Sequence, residues 1–161
     1  MTERSPGRSV AHATFTIERR YDAAPARVFE AFADPAQKRR WFAEGGEGWE
    51  VESFETDFRV GGYERSRFHF QGGPLITNDT LFQDIVADER IIIAYSMTSG
   101  GNRISASQAT MQFEAAGKGT RLVFTEQGAF LDGYDDAGQR EEGTRELLEA
   151  LARELARPAT A

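Results

Sequence analysis

Three observations predict an α+β chain built on one curved antiparallel sheet. First, six strand-like segments follow one another, at about 48–57, 62–71, 75–87, 90–99, 105–116 and 120–128, with only short turns between them. Parallel neighbours need a crossover of a dozen or more residues, so these six run antiparallel. Second, one more strand precedes them, which makes seven, and two short helices lie between strands 1 and 2. Third, a single long amphipathic helix ends the chain. One apolar helix left to cover one sheet places that helix on the concave side.

Each element has a local reason. From Ala13 to Tyr21, Phe15, Ile17 and Arg19 alternate with Thr14, Thr16 and Glu18, the period of a strand. Pro25 suits the first turn of a helix whose Val28, Phe29 and Phe32 share one face. Asp34-Pro35 closes that helix and starts a second, with Asp as cap and Pro at the first position. The second helix runs into Trp41-Phe42, a plug where helices meet sheet. Gly61-Gly62, Gly72-Gly73-Pro74, Asp88-Glu89, Gly100-Gly101-Asn102 and Gly117-Lys118-Gly119 punctuate the strands. A loop over 128–138, rich in Gly and Asp, leads into a helix from about Gln139 to Arg157. Thr144, Leu147, Leu148, Leu151 and Leu155 form its apolar face, and Glu141, Glu142, Arg145, Glu146, Glu149 and Arg153 the other.

The chain has 161 residues, enough for one domain. Residues 13–157 are expected to form it, with a mobile tail over 1–12 and a frayed end from Pro158. There is no cysteine, which excludes disulfides, a thiolate nucleophile and a zinc finger and fits the cytoplasm. The net charge of −7 argues against nucleic acid as a partner, because neutralising phosphates needs clustered positive charge. No stretch approaches the ~18 apolar residues of a membrane span. Phe supplies 12 of 18 aromatic residues, so the core is bulky or a cavity is lined with rings.

No constellation for catalysis, a metal or a cofactor stands out. His12 falls in the tail, and His69 stands alone in an alternating strand as a half-buried residue. Asp132, Asp135 and Asp136 do not follow calcium-loop spacing and read as a solvated loop and helix start. Gly45-Gly46-Glu47-Gly48 lacks the strand and helix that a phosphate loop requires. Lys38-Arg39-Arg40 reads as a solvated face, with a docking spot for an acidic partner as the alternative. Asp57 is expected to accept backbone hydrogen bonds across the Gly61-Gly62 turn.

Several short motifs together carry a resemblance. They are Ala24-Pro25 with Val28-Phe29, Trp41-Phe42, Asp57-Phe58-Arg59-Val60-Gly61-Gly62, Asp88-Glu89-Arg90-Ile91 and Gly119-Thr120-Arg121-Leu122. With these the chain resembles the START-like, Bet v 1-like superfamily, which includes polyketide cyclases. The likeness is greatest to the branch similar to the C-terminal domain of the activator of Hsp90 ATPase, and it spans about residues 13 to 157. The resemblance implies a helix-grip fold, in which the sheet wraps the C-terminal helix. One departure is visible. The family usually opens the last helix with Gly-Trp, and here Thr144 follows Gly143. Loss of an indole would leave the pocket larger or more polar at that point.

On that fold a cavity between sheet and helix draws candidates from every element. Phe32 and Trp41 come from the short helices, Tyr63, Arg65 and Tyr95 from middle strands, and Met111, Phe113, Phe124 and Glu126 from the last two. Thr144, Leu147, Leu148 and Leu151 come from the long helix. Alternation puts Glu126 on the face of Leu122 and Phe124, which aims it inward and desolvates it. The competing reading pairs it with Arg65 or Arg67, or leaves it exposed at a strand end. In strand 62–71 either face can point inward. The Tyr63, Arg65, Arg67 and His69 face would give the pocket an arginine for a carboxylate, and the Phe68 and Phe70 face an apolar wall.

Three functions compete. The first is binding of a small hydrophobic or amphipathic molecule in that cavity, with no cofactor. The second is a protein-binding, chaperone-associated role, which the resemblance alone implies. The third is a cyclase-like or hydrolase-like enzyme, ranked last because no acid–base pair converges in the sequence. The charged helix face and the strand edges also leave a homodimer open.

Overall fold

The computed structural model describes residues 7–158. Seven strands form one antiparallel sheet: β1 (Val10–Tyr21), β2 (Trp49–Thr56), β3 (Tyr63–Phe70), β4 (Ile76–Val86), β5 (Arg90–Ser99), β6 (Asn102–Ala116) and β7 (Gly119–Leu131). Their spatial order is β1-β7-β6-β5-β4-β3-β2, so the first strand closes onto the last. Helix α1 (Pro25–Ala33), the short α2 (Pro35–Lys38) and one π-helical turn (Arg39–Ala43) connect β1 to β2. The long helix α3 (Ala137–Leu155) lies in the grip of the sheet. This is the α+β helix-grip architecture expected from the sequence. No helix among the described residues is long and apolar enough to cross a membrane.

Strand β1 starts earlier than expected. Val10 pairs with Leu131, and the Ser9 amide donates to Asp132 Oδ1 at 2.9 Å, so residues 10–12 belong to the sheet and not to a tail. The partner strand makes this happen, because β7 continues past Gly128 to Leu131. A Cβ on Gly128 would sit 3.0 Å from the Phe130 ring and from Ser107 Oγ. The glycine lets the ring fold back beneath the strand. The expected tail over residues 1–6 and the end at 159–161 lie outside the described residues.

The core gathers where β1, β7 and β6 meet the helices. Phe15, Ile17 and Leu122 on the sheet pack with Val28, Phe29 and Phe32 of α1 and with Leu148 and Leu151 of α3. Phe113 meets Phe29 and Phe32 edge-on, with ring centroids 5.5 and 5.3 Å away. Trp41 is the expected plug, and its Nε1 donates to the Ala31 carbonyl at 2.8 Å. Irregular pairing at Val51/Ser53, Phe82/Asp84 and Met97/Thr98 bends the sheet around α3.

The Gly61-Gly62 turn works differently from expectation in one respect. Gly61 has φ +85°, as a tight turn requires, while a Cβ on Gly62 would lie 2.1 Å from the Asp57 carbonyl oxygen. The Asp57 carboxylate, however, takes the Arg59 side chain at 2.7 Å. It is the Asp57 backbone that spans the turn, donating to Tyr63 O.

Candidate functional site

The half of the sheet formed by β3, β4 and β5 is not filled by the helix. Between it and α3 lies a cavity of about 730 Å³. Strand alternation decides what faces it. On β3 the inward residues are Glu64, Ser66 and Phe68, while Tyr63 and Arg65 point outward. Register then builds two polar rows across the floor. Glu64 stands opposite Thr80, Thr80 opposite Tyr95, and Tyr95 opposite Ser107. In the next row Ser66 faces Asn78, Asn78 faces Met97, and Met97 faces Ser105.

The remaining walls are apolar. Phe32, Trp41 and Phe42 close one side, and Ile93, Met111 and Phe124 form the deep part of the floor. Leu147, Leu148 and Ala150 of α3 make the roof. Exposed lining residues mark the mouth: Gly46 and Trp49 on one side, Glu146 and Arg153 on the other. Gly45 has φ +60°, and a Cβ there would meet the Trp49 ring at 2.8 Å, so this rim needs glycine to seat the indole.

Two charged clusters border the cavity. In the first, Lys38 reaches both Glu64 oxygens at 3.2 Å, and Thr56 Oγ1 donates to Glu64 at 3.0 Å. Both charged residues are buried. The Lys38 ammonium also lies 4.6 Å from the Phe42 ring centroid and 5.7 Å from that of Trp41, close enough for cation–π attraction.

The second cluster centres on Glu126, which is fully buried. Tyr95 Oη donates to its carboxylate at 2.7 Å, and Arg140 Nη1 lies 3.3 Å away. Arg140 also donates to Tyr95 Oη, Ser105 Oγ and Asp135 Oδ2, at 2.9, 2.7 and 2.9 Å. Burial, and after it the Glu126 charge, hold the Tyr95 phenol well above its ordinary pKa against the lowering effect of Arg140. Tyr95 is therefore a donor at neutral pH. Burial alone would lower the Arg140 pKa, but Tyr95, Glu126 and Asp135 outweigh it and hold the guanidinium charged.

The sequence candidates divide into three groups. Phe32, Trp41, Tyr95, Met111, Phe124, Thr144, Leu147 and Leu148 line the cavity. Phe113, Leu151 and Glu126 point inward but are buried behind the lining. Tyr63 and Arg65 are corrections. They sit on the outer face, with the Arg65 guanidinium 5.4 Å from the Tyr63 ring centroid, because the buried alternation of β3 runs through Glu64 and Ser66. Nor does Glu126 pair with Arg65 or Arg67. Arg67 bonds Asp79 instead.

Sequence reasoning missed Arg140, Lys38, Glu64, Ser66, Asn78 and Thr80. For Arg140 a signal existed: it lies four residues before Thr144, on the same helix face as Leu147, Leu148 and Leu151. The Lys38-Arg39-Arg40 run is a solvated face only at Arg39, which pairs with Glu44 in solvent; Lys38 is buried against Glu64, and Arg40 is half-buried and holds the buried Glu154. The acidic loop is not wholly solvent-facing either, since Asp135 holds Arg140 while Asp136 caps α3 through Gln139 N. Thr144 lines the pocket, and its hydroxyl bonds back to the Arg140 carbonyl at 2.9 Å.

Comparison with known proteins places this arrangement. The Mll3558 protein of Rhizobium loti is 55% identical, covers 91% of this chain and 99% of its own, and superposes with a TM-score of 0.84. An uncharacterized protein of Rhizobium leguminosarum is 48% identical over 94% of this chain and 99% of its own, with a TM-score of 0.89. An AHSA1-like protein of Aeromonas hydrophila, 19% identical over 92% of this chain and 99% of its own, shares the fold at a TM-score of 0.68. No curated protein matches the chain. The family model described as Activator of Hsp90 ATPase homolog 1-like protein matches residues 22–156, and the chain belongs to that family.

Proposed function

We propose that this protein binds a small hydrophobic or amphipathic molecule between the sheet and α3. The observation that carries the reading is the cavity itself. Its volume of about 730 Å³ lies within the range of roughly 300–1,000 Å³ common for small-molecule sites, and it sets a ring-bearing and aliphatic wall against a polar floor, as an amphipathic ligand requires. Phe32, Trp41, Met111, Phe124, Leu147 and Leu148 supply the apolar contact, with Tyr95 and Thr144 as polar neighbours. The lack of cysteine suits a cytoplasmic location.

Two observations weigh against catalysis by the buried cluster. The Glu126 oxygens are already engaged by Tyr95 and Arg140, and the carboxylate is sealed behind the lining. A general base must instead reach a substrate proton. The protein-binding role named by the family description predicts a filled core, which this cavity does not favour.

Native mass spectrometry of freshly purified protein tests the reading. A co-purified molecule of a few hundred daltons is the expected result. A bare mass, together with failure of hydrophobic fluorophores to bind, would overturn it. Retention of the chain by Hsp90 in a pull-down would support the protein-binding role instead.

A further inference from the structure

Ser66 lies in the middle of the cavity floor and is 2% exposed. Its hydroxyl has no hydrogen-bond partner among the described residues. A buried hydroxyl without a partner costs free energy, so a position that keeps one invites a ligand group to supply it. None of its neighbours does so. Thr80 Oγ1 donates to Asn78 Oδ1 at 3.1 Å, and Thr56 and Lys38 are both taken by Glu64.

The charges around Ser66 say what kind of group fits. Lys38 is neutralised by Glu64. Arg140 is neutralised by Glu126 and Asp135, which leave its cluster with one excess negative charge. The third cation of the lining, Arg153, is exposed at the mouth one turn after Glu149, which Arg19 holds at 2.7 Å. A carboxylate entering here passes acidic residues and finds each buried cation engaged. It would have to break a buried ion pair, which is costly. A hydroxyl or carbonyl on a neutral body needs only Ser66.

Resting on the ligand-binding reading above, we propose that the cavity selects a neutral, ring-bearing molecule whose hydroxyl or carbonyl pairs with Ser66 Oγ, and that it rejects carboxylates of the same shape. The aromatic side, Phe32, Trp41 and Phe42, takes the ring face. The Ser66–Asn78 row takes the polar edge.

Three fluorescent probes of one shape test this at pH 6.5: pyrene, 1-hydroxypyrene and 1-pyrenecarboxylate. The expected order of affinity is 1-hydroxypyrene, then pyrene, then the carboxylate, with about tenfold or more between first and last. In Ser66→Ala, 1-hydroxypyrene weakens by about five- to tenfold, the equivalent of one hydrogen bond, while pyrene stays within about twofold. A melting temperature at or above wild type confirms that this variant folds. The inference is overturned if the carboxylate binds as well as the hydroxyl probe, or if Ser66→Ala weakens both neutral probes alike. Failure of all three probes to bind would instead overturn the ligand-binding reading itself.

Discussion

Replacing Glu126 by glutamine removes one charge from the buried cluster and leaves its shape. Wild-type Glu126 accepts from Tyr95 at 2.7 Å and faces Arg140 at 3.3 Å with no solvent access. Breaking a buried pair by removing one partner costs about 3–5 kcal/mol, because the other charge is left uncompensated. Here Asp135 still neutralises Arg140 at 2.9 Å, so no charge is left uncompensated and the loss is that of a hydrogen bond to a charged group, about 1.5–3 kcal/mol. For a domain of this size each kcal/mol moves the melting temperature by about 2–4 °C, which predicts a fall of about 3–12 °C. Urea unfolding at pH 7 gives the free energy and thermal scanning the shift. A second variant isolates the pair. In a double-mutant cycle of Glu126→Gln with Arg140→Met, the two single losses should together exceed the loss of the double variant by about 0.5–3 kcal/mol, because the two residues share one network. A Glu126→Gln loss below about 1 kcal/mol, or strictly additive losses, would refute the assignment of this cluster as a coupled structural network.

Three further outcomes follow from the geometry. Phe113→Ala should cost about 3–5 kcal/mol in urea unfolding, because the ring is buried edge-on against Phe29 and Phe32. Gly61→Ala should cost about 1–2 kcal/mol for its left-handed backbone, and Gly62→Ala clearly more, since its Cβ would strike the Asp57 carbonyl; equal losses would contradict the turn geometry. Glu154 is held below the ordinary Glu value by the Arg40 hydrogen bond, against the opposing effect of burial. A lowered carboxylate pKa gives stability that is full above the unfolded value near 4.3 and lost as pH falls through the folded one. Glu154→Gln should therefore flatten the stability profile from about pH 5 downward, measured as urea midpoints across pH.

Element order was legible because strand alternation and helical period are local properties of the chain. Phe15, Phe29, Phe32, Phe113 and Phe124 fall on the expected inward faces for that reason. The polar floor was not legible. Whether Glu64 or Arg65 of β3 points inward depends on a parity that alternation alone cannot set, since both faces of that strand carry charge. Pairing across the sheet sets it, through Thr80 and Tyr95. Glu126 could be aimed inward from Leu122 and Phe124, but its partner Arg140 is 14 residues away on another element, where no local spacing links them.

The same limit hid the role of the acidic excess. From Glu126 to the C-terminus the chain has nine acidic residues and four arginines, and the helical period assigns most of the acids of α3 to its polar, solvent-facing side. Glu141 and Glu146 fit that description, but Glu126 and Glu154 are buried and do different work. Glu126, Tyr95 and Ser105 tie the first turn of α3 to the sheet through Arg140, and Glu154 ties its last turn to the π-helical segment through a bidentate Arg40 at 2.8 Å. Between these ends, Tyr21 Oη donates to the Leu148 carbonyl at 2.9 Å from the β1 side. The helix packs on β1, α1 and the π-helical segment, and not to the same extent on β3, β4 and β5. The cavity is therefore the space beneath a helix held at its two ends by ion pairs and facing strands whose inward side is partly polar, so the same charges that fix the helix border the space below it.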